Sequence, residues 1–175
     1  RGRRGGYYTT AGRWCGLLEQ AVGLTASGTG FGMAQHSQGK VPDAGREGWR
    51  EQLIDGAKQC RNAWLPELRT FPGGAASLAQ AAAGFDKIFL LWEGQASDNM
   101  LTLNDLTPAR PGESILFIMG PEGGLSAAEV DLFLKNGAKA LSLGRRILRW
   151  ETAALLCLGL SYWAGQPEAA AKMAE

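Results

Sequence analysis

The chain has 175 residues, of which 45% are apolar and 20% charged, and its formal net charge is +1. That length suits one domain with one hydrophobic core, and the composition is that of an ordinary soluble globular protein. The near-neutral balance is not that of a strongly basic nucleic-acid binder, so any contact with RNA must come from a local patch or another domain.

Cys15, Cys60 and Cys157 are odd in number and form no C-x-x-C pair, which argues against a disulfide framework and a zinc site. Each reads as a reduced, small, buried apolar residue in the cytoplasm. The basic start RGRRGGYYTT is not followed by an apolar run, so no secretory signal is expected. The longest apolar stretch, residues 153–160 with 162–164 beyond, falls short of the roughly 20 residues that span a bilayer, so no membrane insertion is expected.

Residues 1–12 read as a solvated N-terminal segment ahead of a domain over 13–175, with a first strand as the alternative; Arg1, Arg3 and Arg4 are basic enough to touch phosphate. Helical periodicity runs over 14–22, with Gly23 as its stop, and a short strand is read near Phe31 to Ala34. A second helix over 46–63 carries Trp49, Leu53, Ile54, Ala57 and Cys60 as its apolar stripe, and Pro66 ends that region. A short helix over 75–83 follows. KIFLLW (87–92) and SILFIM (114–119) are continuous apolar runs suited to strands buried on both faces. Ser126 with Glu129 forms a capping box opening a helix to about Asn136, and a third strand covers 138–143. A last helix spans 151–163. Strands alternating with helices predict a parallel sheet covered on both faces, with ligands beyond the strands' carboxyl ends. His36 reads as a surface residue, and Trp14, Trp49 and Trp64 as packing residues rather than base-stacking ones.

Two segments carry chemistry. Gly120-Pro121-Glu122-Gly123-Gly124-Leu125-Ser126 joins a buried strand to a helix with three glycines that allow close backbone approach, and it is neither a P-loop nor a dinucleotide fingerprint. Leu143-Gly144-Arg145-Arg146-Ile147-Leu148-Arg149-Trp150-Glu151-Thr152-Ala153 places three arginines at another strand end, a candidate anion or RNA contact, with Ile147 and Leu148 in need of apolar surroundings. The blander account is a solvated loop whose Arg149 pairs with Glu151 or Glu122.

Together, "IMGPEGGLSAAEV" and "LSLGRRILRWETAAL" resemble the paired C-terminal signature of the RsmE family of 16S rRNA (uridine-N3) methyltransferases, of the SPOUT superfamily. "GAKQCRNAWLPEL", residues 56–68, is similar to the family's segment with Gln, Arg and Pro at these spacings, here Gln59, Arg61 and Pro66. The resemblance covers roughly residues 47–165 and implies the catalytic domain alone, without the family's N-terminal RNA-binding barrel; Trp150 stands where the family usually has Thr. It implies an α/β parallel sheet with a deep C-terminal trefoil knot, S-adenosylmethionine as cofactor, small-subunit rRNA as partner, and a homodimer with no metal. The cofactor residues carried over are Leu91, Trp92, Glu93, Met119, Gly120, Pro121, Gly123, Gly124, Leu143, Gly144, Ile147 and Leu148. For that chemistry Arg149 and Glu122 are the candidate catalytic pair, Arg149 stabilising the uracil anion or holding phosphate and Glu122 orienting it or accepting a proton, with helix-start electrostatics or a salt bridge as the alternative role of Glu122 and Glu151. Gln59, Arg61, Arg145 and Arg146 are the candidate substrate contacts. Ribose 2′-O methylation and a non-catalytic RNA-binding relative are the competing functions.

Overall fold

The computed structural model of the chain describes residues 5–9, 28–32, 47–63, 65–71, 73–92, 99–110, 112–121 and 123–166. Among these, the strands are Gly5–Thr9 (β1), Gly28–Gly32 (β2), Glu67–Phe71 (β3), Lys87–Leu91 (β4), Ile115–Met119 (β5) and Lys139–Leu141 (β6). They form one sheet in the order β3-β2-β1-β5-β4-β6, parallel at every pairing. The helices are Glu47–Cys60 (α1), Gly74–Ala82 (α2), Leu103–Leu106 (α3), Ala127–Lys135 (α4) and Trp150–Ala164 (α5).

The two apolar runs sit where their composition requires. All five residues of β5 are buried, because β1 and β4 flank it and helices cover both of its faces. Side chains alternate across the strand. Ile115, Phe117 and Met119 face one core with Phe89, Leu141, Leu53 and Ala57 of α1, Leu106 of α3, and Ala154, Cys157 and Leu158 of α5. Leu116 and Ile118 face the other with Leu90, Leu78 and Ala79 of α2, and Val130 and Phe133 of α4. The expected parallel sheet with helices on both faces is therefore what the chain builds. Ser126 caps α4 as the sequence indicates, accepting from the Glu129 amide at 3.3 Å while the Glu129 carboxylate accepts from the Ser126 amide at 2.8 Å.

Other elements differ from expectation. Gly5–Thr9 is a strand inside the sheet rather than a solvated end, because its backbone pairs with β5 over Gly5 to Tyr8. The strand expected near Phe31 lies slightly earlier, over Gly28–Gly32. β3 and α3 were not expected at all. Cys60 is exposed, not buried, because it is the last residue of α1, where the helix leaves the sheet. Cys157 is fully buried, and burial pushes its thiol up to about 12. The helix expected over 14–22, with Cys15, His36 and Trp64, lies outside the described residues, as do the side chains of α1 ahead of Arg50.

Polar side chains fasten the amino ends of β4 and β5, opposite the strand ends that matter for ligands. The Asp86 carboxylate accepts from the Ser114 amide at 2.8 Å and hydroxyl at 2.7 Å and pairs with Arg110. Lys87 donates to the carbonyls of Asp105 and Thr107 at 3.0 and 2.9 Å and pairs with Glu113 at 3.0 Å. Asp105 accepts from Lys139 at 2.8 Å and from the Thr102 amide at 2.9 Å. Burial alone raises the Asp105 pKa, but the hydrogen bonds from Lys139 and Thr102 outweigh it and hold the carboxyl at about 2.

Candidate active site

The carboxyl ends of β4 and β5 and the start of α5 enclose a cleft of about 490 Å³. Its first wall is Leu91 and Trp92; its second is Met119, Gly120, Pro121, Gly124 and Leu125; its third is Ile147, Leu148, Arg149, Trp150, Glu151 and Ala153. This is where an open parallel sheet presents ligands.

The second wall owes its shape to glycine. Gly124 has a φ of 73°, in the left-handed region, and its amide donates to the Pro121 carbonyl at 2.8 Å, closing a tight turn. A Cβ on Gly120 would lie 3.1 Å from Leu125 Cγ and 3.2 Å from the Leu125 amide nitrogen, so backbone passes where a side chain would sit. The third wall is anchored at one end by Leu148, packed on the core, and begins at a sharp bend where Gly144 has a φ of 117°. Ile147, in contrast, is 79% exposed on the lip of the cleft. Arg149 is the N-cap of α5, and no ion pair joins it to Glu151 among the described residues. The cleft therefore combines an apolar lining (Leu91, Met119, Leu125, Leu148) with the Arg149 cation, the Glu151 carboxylate and close-approaching backbone.

Of the residues expected to hold the cofactor, Leu91, Trp92, Met119, Gly120, Pro121, Gly124, Ile147 and Leu148 line this cleft. Leu143 packs against the core instead, Gly144 shapes the bend, and Gly123 is exposed outside the lining. Glu93 and Glu122 lie outside the described residues. Arg149 is in the lining; Arg145 and Arg146 are exposed beside it. Gln59 and Arg61 are not brought to the cleft: Gln59 is exposed on α1, and Arg61 borders a separate shallow groove with Ile54, Ala57 and Leu65. Leu125, Trp150, Glu151 and Ala153 are lining residues that sequence reasoning did not assign. Their signal was position: Leu125 ends the glycine segment just before the N-cap of α4, and Trp150, Glu151 and Ala153 lie in the first turn of α5.

A family model described as an RNA methyltransferase domain matches residues 9–161. The chain belongs to that family. Similar curated proteins include ribosomal RNA small subunit methyltransferase E of Bacillus subtilis, 32% identical over 120 residues, which cover 67% of this chain and 46% of the relative. The enzyme of the same name from Mycobacterium bovis is 30% identical over 120 residues, covering 67% of this chain and 44% of that protein. The match thus spans less than half the length of these curated relatives. Among solved structures, a Legionella pneumophila protein in complex with bound SAM, described there as a methyltransferase, is 26% identical with a TM-score of 0.77, covering 93% of this chain and 67% of that one. Ribosomal RNA small subunit methyltransferase E of Neisseria gonorrhoeae, bound to S-adenosyl methionine, shares the fold at 21% identity and a TM-score of 0.68, covering 90% of this chain and 64% of that one. The methyltransferase domain thus places its two recognisable strand-end segments around a single cleft.

Proposed function

We propose that this chain is the S-adenosylmethionine-binding domain of an rRNA methyltransferase that modifies N3 of a uridine in the small ribosomal subunit. One observation carries this reading: the segments after β4 and β5 and the segment before α5, far apart in sequence, converge on one cleft in a chain of the RNA methyltransferase family. The curated relatives are named for the same reaction class, and solved neighbours hold the same cofactor.

The cleft fits the cofactor on its own terms. Its volume of about 490 Å³ lies within the roughly 300–1,000 Å³ usual for small-molecule sites. Met119, Leu125 and Leu148 offer an apolar bed for adenine, and the Gly120 approach leaves backbone polar groups within reach of a ligand. When bound, the cofactor supplies an electrophilic methyl on a sulfonium. The chain's task is to hold both reactants in line, which can contribute on the order of 7–11 kcal/mol. Arg149, at the cleft wall without an ion-pair partner among the described residues, faces negative charge developing on the uracil ring. Arg145 and Arg146, exposed beside it, hold backbone phosphates. N3 lies on the pairing edge, so the acceptor uridine is unpaired or extruded. Glu122 is the proton acceptor in this scheme, or the group that orients Arg149.

A C-terminal trefoil knot is part of the same proposal, supported by backbone hydrogen bonds around β6. On one side the Trp92 amide donates to the Leu141 carbonyl at 3.2 Å; on the other, Ser142 donates to the Asn99 carbonyl at 2.8 Å and accepts from the Leu101 amide at 2.9 Å. The chain at 141–142 is therefore gripped by both ends of the loop that leaves β4, as a threaded segment would be. We further propose a cytoplasmic homodimer using α5, which keeps Leu156, Tyr162 and Trp163 exposed beyond its buried face. No helix of the described residues is long and apolar enough to cross a membrane.

The test has two parts. Calorimetry measures S-adenosylmethionine binding, and labelled methyl transfer to unmodified small subunits is followed by nucleoside analysis. Saturable binding with methyl on the uracil base is expected, and Arg149→Ala should lower turnover about 100-fold with cofactor affinity within about threefold. Methyl on ribose would replace the base assignment, and no cofactor binding by a folded sample would overturn the proposal.

A further inference from the structure

The third wall of the cleft has no regular secondary structure from Leu143 to Arg149, yet it must hold Ile147 and Arg149 in place. Leu148 anchors its far end in the core. The near end is set by Ser142, which is buried and lines no part of the cleft. The Ser142 hydroxyl donates to the Gly144 carbonyl at 3.0 Å and accepts from the Gly144 amide at 3.1 Å, across a residue whose φ of 117° only glycine adopts readily. Both polar groups of Gly144 are thus tied to one side chain, at the point where the chain turns from the sheet toward the cleft.

The backbone of Ser142 does a separate job. Its amide and carbonyl bond to Asn99 and Leu101, and Met100 bridges to it in parallel register. Those contacts hold β6 in the fold without the hydroxyl. Among the described residues, the side chain's hydrogen bonds run only forward, to Gly144. We propose that Ser142 is a positioning residue for the cofactor cleft: its hydroxyl fixes the Gly144 bend and thereby the placement of Ile147 through Arg149. This rests on the cleft being the cofactor site, while the link from Ser142 to the loop stands on geometry alone.

Ser142→Ala removes both hydrogen bonds and leaves the backbone bonds of β6. In cofactor-free protein, hydrogen–deuterium exchange should accelerate about tenfold or more at amides 144–149, with β4, β5 and α2 unchanged. S-adenosylmethionine affinity should weaken about tenfold, the equivalent of roughly one net hydrogen bond. Ser142→Thr, which keeps the hydroxyl, should restore both. Gly144→Ala disturbs the same bend from the other partner and should reproduce the exchange pattern if Ser142→Ala folds poorly. Unchanged exchange at 144–149, or acceleration spread evenly over the sheet, overturns the proposal. A parent protein that binds no cofactor, with the local exchange change still present, overturns the cofactor reading and leaves Ser142 as the residue that holds the loop.

Discussion

Gly120 is the position at which the shape of the cleft can be tested most directly. In Gly120→Ala the new Cβ sits 3.1 Å from Leu125 Cγ, 3.2 Å from the Leu125 nitrogen and 3.3 Å from the Gly124 carbonyl carbon. Carbon contacts are comfortable from about 3.5 Å, so the shortfall is at least roughly 0.2–0.4 Å against three atoms, two of them backbone. Side-chain rotation at Leu125 relieves one contact only. The remainder must be taken up by the Pro121–Gly124 turn moving as a unit, because the Gly124 amide ties it to Pro121. Overpacking of this kind costs about 1–3 kcal/mol. The turn is a wall of the cleft, so most of that cost should fall on ligand binding, giving S-adenosylmethionine affinity about 10- to 100-fold weaker by calorimetric titration. Gly123→Ala, at an exposed residue outside the lining, is the control and should stay within about threefold of the parent. An affinity for Gly120→Ala within twofold of the parent would refute the reasoning, because it would mean that the turn yields freely or does not touch the ligand.

Further outcomes are expected elsewhere. Phe133→Ala empties a side chain 1% exposed in the α2–α4 core and should cost about 3–5 kcal/mol in urea unfolding. Asp105→Asn should cost about 1–2 kcal/mol at pH 7, since the folded carboxyl is held at about 2, below its ordinary 3.8; that stabilisation is complete above about pH 4 and lost as pH falls from 3.8 towards 2, so the gap to the parent should close in acid unfolding curves. In native protein, iodoacetamide followed by peptide mass mapping should label Cys60 and spare Cys157, which is buried with its thiol pushed up to about 12; rapid native labelling of Cys157 would contradict the packing of α5.

How much of this was legible in the sequence depended on where each segment's partners lie. KIFLLW and SILFIM were readable because burial on both faces leaves an uninterrupted apolar run, and Ser126 with Glu129 because a capping box is complete within four residues. β1 was legible only as an alternative to a solvated end: GGYYT has little local signature, and its partner β5 lies more than a hundred residues away. β3 was hidden because ELRTF mixes polar and apolar residues at a sheet edge just after Pro66. α3 is four residues long and owes its shape to the Thr102–Asp105 capping box rather than to periodicity. At the site, the glycine and arginine segments were evident because they punctuate strand ends. Trp150, Glu151 and Ala153 were not assigned, since only the angle at which α5 leaves the loop decides which of its first residues face the cleft. Gln59 and Arg61 matched a motif, but they lie at the end of α1 and just beyond it, outside the cleft lining.

The place of β5 in the sheet bears on how the chain is made. β5 is the seam: β1, β2 and β3 lie on one side of it, β4 and β6 on the other, and no ladder among the described strands joins the two groups except through Ile115–Met119. As synthesis proceeds from the amino end, the first three strands can pair with one another, but nothing yet joins them to the fourth. Closure waits until Met119 has left the ribosome, and it depends on contacts between residues more than a hundred positions apart. Such distant pairings are slow to form. Until then β1 and β4 each present an open edge, so the nascent protein should lean on chaperones most heavily over this interval, and stalling translation shortly before Ile115 should trap a species prone to aggregate.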